Sequence, residues 1–258
     1  MKIVTWNVNS LAVRLPRVVE FVGLHEPDIV CLQETKCEAA AFPVEELAAA
    51  GYRGVQHSAG RWAGVAILAR DDRSLTAGAS GLAGEVRTEE ARWVEATVDG
   101  LRVASAYVPN GRALDTPTFA EKLAFFDAMQ ARVAELRAAG EQIVVTGDLN
   151  VTRDDRDVWD PAAFVGSTHV TPDERARLEG VLEAGDLVDA YRDVHPDDQQ
   201  FTWWDYRQGH FHRGMGLRID YILVSRSLAG RIGQAGIERD FRKGTKPSDH
   251  APLVAVLD

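Results

Sequence analysis

Runs of apolar residues, each ended by polar side chains, form the main pattern along this chain. Residues 142–146 make a β-branched run that predicts a buried strand, and Gly147-Asp148-Leu149-Asn150 follows it directly. The glycine allows a sharp turn, after which an acid and an amide project together. Ends of strands in α/β sheets are where sites are usually built, yet Gly, Asp and Asn are also the ordinary residues of a turn. Both interpretations of this segment stay open at this point.

The remaining periodicity predicts strands alternating with helices. Asp99-Gly100 joins two apolar runs and is a hairpin signal, so part of the sheet is antiparallel. A long polar segment, 152–172, predicts a loop of the kind that often carries function. No linker divides the chain, which predicts a single domain over 1–258 with layered α/β architecture. Strands are predicted over 2–8, 28–33, 64–69, 92–99, 101–107, 218–225 and 251–257, and helices over 16–24, 44–50, 116–139 and 172–184.

Charge and cysteine content change this picture only in part. The chain carries a net charge of −10, which argues against a nucleic-acid partner. Residues 203–250 hold nine Lys and Arg against five Asp and Glu, a local charge of +4 that leaves −14 for the rest. That basic segment suits a polyanionic substrate or a solvated, ion-paired surface. Two cysteines are too few for a disulfide framework or a zinc site, so we expect a reducing, cytoplasmic location. No apolar run is long enough to span a membrane, and the N-terminus turns polar too early for a signal peptide.

Eight polar residues fall at the ends of predicted strands. Each alone has an ordinary structural explanation, such as a surface acid at Glu34 or a strand-edge acid at Asp220. Their common position favours a shared site, because unrelated polar residues would scatter over helix faces. Carboxylates and amides without cysteine suit a hard cation such as Mg²⁺, and a histidine with an aspartate suits proton transfer or phosphate contact. The set predicts metal-assisted hydrolysis of a phosphate ester. It comprises Asn7, Glu34, Tyr107, Asp148, Asn150, Asp220, Asp249 and His250.

Seven motifs in order resemble the exonuclease III family of DNA-repair nucleases, within the endonuclease/exonuclease/phosphatase superfamily. The resemblance runs from Lys2 to the C-terminus, and the ordered series is far more specific than any one motif. It implies a four-layer α/β sandwich of the deoxyribonuclease I-like type, with two mixed, mostly antiparallel β-sheets flanked by helices. The motifs are Trp6-Asn7-Val8-Asn9-Ser10, Gln33-Glu34-Thr35-Lys36, Tyr107-Val108-Pro109-Asn110, Gly147-Asp148-Leu149-Asn150, Trp203-Trp204-Asp205-Tyr206-Arg207, Gly216-Leu217-Arg218-Ile219-Asp220 and Ser248-Asp249-His250.

The resemblance also implies roles for individual residues. Glu34 is implied as the main ligand of Mg²⁺, for which Mn²⁺ can substitute. The other residues implied at or beside the metal are Asn7, Asp148, Asn150, Asp249 and His250. In the implied chemistry Asp148 activates or orients the attacking water and Asn150 stabilises the phosphorane. Tyr107 contacts the scissile phosphate, and His250, oriented by Asp220, binds a phosphate oxygen. Whether Asp148 or His250 takes the water's proton stays open.

DNA contacts are implied around and beside this site. Trp203 is expected to line the pocket for an abasic sugar or a 3′ terminus, although it could instead be a core residue, and Ile219 is expected among the DNA-binding residues. The basic residues expected to contact the DNA backbone, some of which could be only solvated surface, are Arg207, Arg213, Arg218, Arg242 and Lys243. The implied partner is double-stranded DNA with abasic sites or damaged 3′ ends, bound by a monomer, with no membrane partner.

The predicted function is that of a Mg²⁺-dependent DNA-repair phosphodiesterase of the exodeoxyribonuclease III type, a 3′-5′ exonuclease that processes 3′ ends, has AP endonuclease activity and leaves a 3′-hydroxyl. Two alternatives are a hydrolase of a small phosphoester and a binding module that has lost catalysis. His169 marks a departure from the family, since many relatives have a small residue there. An imidazole would crowd the path of a continuous strand, which gives a further alternative: a 3′-end processing exonuclease or 3′-phosphatase with little incision at abasic sites. Alternatively, His169 turns to solvent and changes nothing.

Overall fold

Twelve β-strands alternate with seven α-helices in a computed structural model that describes residues 1–258. The strands are Lys2–Asn7 (β1), Ile29–Gln33 (β2), Tyr52–His57 (β3), Val65–Arg70 (β4), Leu75–Ser80 (β5), Trp93–Val98 (β6), Leu101–Tyr107 (β7), Ile143–Asp148 (β8), Leu187–Asp189 (β9), Asp220–Ser225 (β10), Ile232–Ile237 (β11) and Leu253–Leu257 (β12). The α-helices are Leu11–His25 (α1), Val44–Ala49 (α2), Pro117–Ala138 (α3), Pro172–Gly185 (α4), Ala190–Val194 (α5), His210–Arg213 (α6) and Arg226–Ala229 (α7). Short 3₁₀ turns cover Ala39–Ala41, Asp155–Asp157, Pro161–Phe164, Arg207–Gly209 and Arg239–Arg242.

The strands form two six-stranded sheets with matching organisation. The first has the order β11-β12-β1-β2-β4-β3 and the second β5-β6-β7-β8-β10-β9. Each sheet has one parallel pair at its centre, β1 with β2 and β7 with β8, and all other pairs are antiparallel. Parallel neighbours need a crossover connection, and helices α1 and α3 supply it. The prediction of two mixed, mostly antiparallel sheets is confirmed.

Alternating side chains place one apolar layer between the sheets and one outside each sheet. Ile3, Cys31 and Val144 lie in the inner layer, which draws residues from both sheets. Outside the first sheet Trp6 packs against Phe21 of α1. Outside the second sheet α3 and α4 cover β7, β8 and β10. Burying both faces of each sheet in this way yields the predicted four-layer α/β sandwich.

The predicted elements are present with small shifts at their ends. The strand predicted over 142–146 extends to Asp148, so the acid belongs to the strand itself. Helix α1 begins at Leu11, earlier than predicted, and continues through Pro16, because the buried face of Leu11, Val18 and Phe21 outweighs one lost hydrogen bond. The hairpin at Asp99-Gly100 is present, with positive φ at both residues. None of the helices is long and apolar enough to cross a membrane.

Candidate active site

Strand direction brings the polar residues to one rim of the sandwich. The parallel pairs β1–β2 and β7–β8 all end there and carry Asn7, Glu34, Tyr107 and Asp148 to the same edge. The antiparallel strands β10 and β12 begin at that rim, so Asp220 pairs in register with Asp148. The segment Asp249-His250 precedes β12 beside the end of β1. Thus the eight strand-end residues predicted from the sequence do meet at one edge.

Unusual backbone conformations position the acid–amide motif. Gly147 has φ 143°, and a Cβ there would lie 1.9 Å from the carbonyl oxygen of Ala106, so only glycine fits. Asn150 is left-handed at φ 51°, and its backbone N–H donates to Asp148 Oδ1 at 3.0 Å. Glu34 is also left-handed, at φ 52°. Such conformations persist where the surrounding structure holds them, and they are common at functional sites.

A buried chain of charged side chains runs from Asp220 through His250 to Asp148. His250 Nδ1 donates to Asp220 Oδ2 at 2.8 Å, and its Nε2 lies 3.6 Å from Asp148 Oδ2. Burial opposes the charge on His250, but Asp220 and Asp148 outweigh it and raise the pKa of His250 to about 10. Burial raises the pKa of Asp148 to about 7, with Asp220 and Glu34 adding to the effect and His250 opposing it. At neutral pH the imidazole therefore keeps its proton while Asp148 is close to its titration point.

Carboxylate oxygens converge beside this chain. Asn7 Nδ2 bridges Glu34 Oε1 at 2.7 Å and Asp148 Oδ2 at 2.8 Å. Ligand atoms of Glu34, Asp148 and His250 lie within 4.8 Å of one another. Lys36 Nζ contacts Glu34 Oε2 at 2.6 Å, yet the carboxylates at this edge still outnumber the cations. An oxygen-rich donor set with excess negative charge fits a hard divalent cation.

Asp249 and Tyr107 complete the rim on either side. Asp249 accepts hydrogen bonds from Asn9 Nδ2 at 3.0 Å and from Trp203 Nε1 at 3.1 Å, which fix its carboxylate. Burial and the neighbouring Glu34 raise the pKa of Tyr107 well above its ordinary value, so the phenol stays a hydrogen-bond donor. The guanidinium of Arg92 lies 4.6 Å above the tyrosine ring. Both side chains are thus held in place by neighbouring side chains.

These residues surround a cavity of about 140 Å³. Trp203 and Ile219 form an apolar part of its wall, while Trp204 points the other way into the core. His169 also lines the cavity, where it is partly exposed, instead of pointing away from it. Its Nδ1 lies 2.5 Å from the carbonyl oxygen of Asn150, and burial, with Lys122 adding to the effect, lowers the pKa of His169 to about 3. The ring is therefore neutral and anchored.

Two of the basic residues expected to contact DNA are buried. Arg218 has no exposed surface, and its guanidinium pairs with Asp157 at 2.7 Å and Asp189 at 2.8 Å. Arg242 is 7% exposed and donates to the carbonyl oxygen of Trp204. The expectation that these two arginines contact the DNA backbone is therefore wrong. Some positions in a folded segment face the interior, and the charge of a residue does not show whether its side chain is exposed to solvent.

Other predicted basic contacts remain on the surface. Arg207, Arg213 and Lys243 are exposed on the Asp249 side of the site. Arg207 is ion-paired with Asp205 and Lys243 with Asp240, whereas no ion pair involves Arg213. These three residues define the basic flank of the rim.

A second flank was not predicted. A cleft of about 430 Å³ opens from the Glu34–Tyr107 side of the cavity. Its walls include Lys36, Arg112 and the indole of Trp62, which is 67% exposed. The only sequence signal was an aromatic next to a basic residue in the loop between β3 and β4, in a region where β3 itself was missed.

Comparison with known proteins shows the family to which this chain belongs. The model of the Endonuclease/Exonuclease/phosphatase family matches residues 4–250. Exodeoxyribonuclease III of Haemophilus influenzae is 31% identical over 271 residues, covering 99% of this chain and 99% of its own. The chain belongs to the endonuclease/exonuclease/phosphatase family, and within it the resemblance to exonuclease III is confirmed. Its members hydrolyse phosphoester bonds with a divalent metal, so this chain is a metal-dependent nuclease.

Solved structures with the same fold carry different activities. A 3′ phosphatase from Neisseria, bound to a product DNA hairpin, is 38% identical with a TM-score of 0.94, covering 100% of this chain and 99% of that one. A second structure of the same protein, NExo, described as a 3′-5′ exonuclease from Neisseria meningitidis, is also 38% identical, with a TM-score of 0.94 and 100% coverage of both chains. An AP endonuclease from Archaeoglobus fulgidus is 34% identical with a TM-score of 0.94, covering 100% and 99%.

Proposed function

We propose that this chain is a Mg²⁺-dependent DNA-repair nuclease that processes 3′ ends in double-stranded DNA, with weak incision of intact strands at abasic sites. The observation that carries the proposal is the position of His169, whose anchored ring occupies one wall of the cavity. We further propose that residues 1–258 act as one domain and as a monomer. A reducing, cytoplasmic location stays a prediction, supported by two cysteines that form no disulfide.

The donor set supports Glu34 as the main metal ligand, with Asn7, Asp148 and Asp249 beside it. Asn7 already holds the Glu34 and Asp148 carboxylates together through one amide nitrogen. When bound, a divalent cation would polarise a phosphoryl oxygen and neutralise developing charge. Mg²⁺ is favoured because it prefers carboxylate and water oxygens, and Mn²⁺ can replace it at the same ligands.

The protonation states favour one assignment of the proton transfers. His250 is already charged near neutral pH, so it cannot act as the base, and its Nε2–H is available to a phosphate oxygen or to Asp148. Asp148, with a pKa of about 7, is the group able to take the proton of the attacking water. Asn150 uses one amide N–H for the carbonyl oxygen of Val108 at 3.0 Å, which leaves the second for a phosphorane oxygen. The phenol of Tyr107 donates to the scissile phosphate.

The preference for strands that end at the site follows from the position of His169 in the cavity wall, and we call this residue the gate. By the layout of the family that this chain resembles, a strand that continues past the cleaved phosphate would run beside the loop 166–171, and the imidazole of His169 lies on the wall of the cavity. A strand that ends at the site avoids this contact. The similar Neisseria protein NExo is described in one structure as a 3′ phosphatase and in another as a 3′-5′ exonuclease, and both activities agree with substrates that end at the site.

The test compares cleavage of an intact abasic duplex with processing of a nicked duplex that carries a 3′-phosphate. His169→Gly should gain incision of the intact duplex and keep activity on the nicked one. His169→Gln retains bulk without a ring and serves as the matched control, which should stay selective. Equal incision of the intact duplex by wild type and His169→Gly would show that the gate does not exist.

Two further outcomes separate the alternative functions. Loss of all activity in excess chelator is expected for the metal-dependent nuclease. Activity on a small phosphodiester but on neither duplex would favour a hydrolase of small phosphoesters. Duplex binding without cleavage at saturating Mg²⁺ would favour a binding module.

A further inference from the structure

Lys122 and Glu174 form an ion pair that is buried directly behind the cavity wall. Lys122 lies on α3 and Glu174 in the first turn of α4, and neither side chain has exposed surface. A buried ion pair adds little stability compared with an apolar pair of similar volume, because desolvation offsets the attraction. Stability therefore gives an incomplete account of this pair, and its remaining contacts indicate a second role.

The ammonium of Lys122 connects three loops that wall the site. Besides Glu174, its Nζ lies 2.6 Å from the carbonyl oxygen of Asn150, 3.2 Å from that of Asn110 and 3.1 Å from Thr168 Oγ1, so its three N–H groups are shared among four acceptors. These acceptors follow β8, follow β7 and precede α4, respectively. Gly111, with φ 84°, leaves room for this arrangement, since a Cβ there would lie 2.9 Å from Lys122 Cδ.

The carboxylate of Glu174 holds the loop that carries His169. Its Oε1 accepts from the backbone N–H of His169 at 2.9 Å and from Thr168 Oγ1 at 2.6 Å. Its Oε2 completes the capping box with Thr171. Burial opposes the charge on Glu174, but Lys122 outweighs it, and the pKa of Glu174 is lowered to about 2. The carboxylate therefore stays ionised and able to accept all these hydrogen bonds.

His169 is consequently anchored at two points, and both belong to this network. Its backbone N–H is bound by Glu174, and its ring Nδ1 meets the Asn150 carbonyl oxygen that Lys122 also binds. Asn150 is itself left-handed at φ 51°, a conformation that asparagine tolerates better than most L residues, and its carbonyl oxygen is held there by Lys122. One buried cation thus links the phosphorane-stabilising amide with the gate.

We propose that Lys122 and Glu174 are positioning residues that set Asn150 for catalysis and keep His169 in the cavity, so that the pair maintains selectivity for strands that end at the site. This inference rests on the proposed function. Neither side chain touches substrate, and both act through the residues they hold. Loss of the pair should slow the chemical step and also weaken the gate.

The decisive variant is the double change Lys122→Met with Glu174→Gln, which leaves no unpaired buried charge. On the nicked 3′-phosphate duplex we expect kcat to fall about 10- to 100-fold with little change in KM, as misplacement of a catalytic group would cause. The ratio of intact-duplex incision to 3′-phosphate removal should rise roughly tenfold, a difference of about 1.4 kcal/mol between the two barriers.

Matched controls separate positioning from general destabilisation. Arg132→Met removes the nearer of the two arginines that pair with Glu95, another fully buried carboxylate, on the outer face of the second sheet and outside the cavity. It should leave both kcat and the substrate ratio at wild-type values. Thr168→Val removes only the hydroxyl that bridges the pair and should produce the same changes at smaller size, which decides the question if the double variant does not fold.

If the double variant lowers intact-duplex incision and 3′-phosphate removal equally, so that their ratio is unchanged, the pair does not position His169. Wild-type kcat in the double variant would overturn its role at Asn150. If wild type itself incises the intact duplex as fast as it removes a 3′-phosphate, the proposed function is wrong. In that case the fall in kcat relative to Arg132→Met still decides whether the pair positions Asn150.

Discussion

Two clusters of buried charge lie close together near the start of β10, and they differ in charge balance. The interior cluster consists of Asp157, Asp189, Arg192 and Arg218, whose two carboxylates and two guanidinium groups balance. The rim cluster consists of the buried Asp148, Asp220 and His250 with the partly exposed Glu34 and Asp249, and its four carboxylates outnumber the two cations, His250 and the Lys36 that pairs with Glu34. Arg218 and Asp220 are two residues apart in the sequence, yet one belongs to each cluster.

The difference shows how burial alone fails to separate structural from functional charge. In the interior cluster Asp189 and Asp157 outweigh burial and raise the pKa of Arg218 well above its ordinary value, so every charge is matched. In the rim cluster burial, together with the excess negative charge, raises the pKa of Asp148 to about 7. Unmatched buried charge is what attracts a cation or a proton, and it is the condition for acid–base chemistry.

The largest effect should come from removing a carboxylate of the rim cluster. Glu34→Ala is expected to lower kcat by about 10³-fold or more, because the electrostatic stabilisation of the transition state is lost with the metal ligand. Single-turnover cleavage of a 3′-phosphate duplex measures it, and Mn²⁺ binding by the folded variant gives a second readout. Glu38→Ala, an exposed acid four residues away, is the control. Wild-type turnover in Glu34→Ala would remove this residue from the site.

The interior cluster should respond in stability instead of activity. Arg218→Met leaves two buried carboxylates with only Arg192, so we expect a loss of about 3–5 kcal/mol in the free energy of unfolding. Urea titration measures this loss, and kcat per folded molecule should change little below the transition. A large fall in kcat at unchanged stability would mean that Arg218 serves the rim cluster.

Within the rim cluster the Asp220–His250 pair should act as a unit. Asp220→Asn and His250→Asn should each lower kcat, and the double variant should lose far less than the product of the two, with a coupling of about 1–3 kcal/mol. The cycle is measured as kcat/KM on one substrate. If the two losses are additive, the hydrogen bond of 2.8 Å between the two side chains has no catalytic role.

The pH dependence of activity tests whether Asp220 keeps His250 protonated. Because the pKa of His250 is raised to about 10, its proton is held below that pH, and activity that needs it should be lost as pH rises through about 10. Asp220→Asn removes the chief group that favours the charged imidazole while burial still opposes it, so this alkaline limb should move to lower pH. The profile is recorded on a 3′-phosphate duplex, and an unmoved limb would assign it to another group.

The smallest effects should come from surface charge on the basic flank. Arg213→Ala should reduce the slope of the logarithm of the DNA-binding constant against the logarithm of the salt concentration by about one, the change expected for one phosphate contact. Arg226→Ala on α7, at the opposite end of β10, is the exposed control. Equal slopes for wild type and Arg213→Ala would exclude a contact between Arg213 and the DNA backbone. The loss of affinity in Arg213→Ala should be the same for all base sequences.

The strands that sequence patterns missed are the edges of the sheets. β3 and β11 border the first sheet, and β5 and β9 border the second. Central strands such as Ile143–Asp148 are buried throughout and read as continuous apolar runs, whereas β5, Leu75–Ser80, is exposed along most of its length. An edge strand is defined by the neighbour it pairs with, so its own composition carries little signal.

The sequence by itself determined the layers, the central strands and the polar residues at their ends. This was possible because burial imposes apolar runs and because ordered motifs such as Gly147-Asp148-Leu149-Asn150 place polar groups at strand termini. Only the tertiary structure decided which charges meet. It buried Arg218 and Arg242, turned His169 into the cavity, and joined Lys122 to Glu174 across 52 positions. Charge pairing depends on distances between segments remote in the chain, and local sequence does not encode those distances.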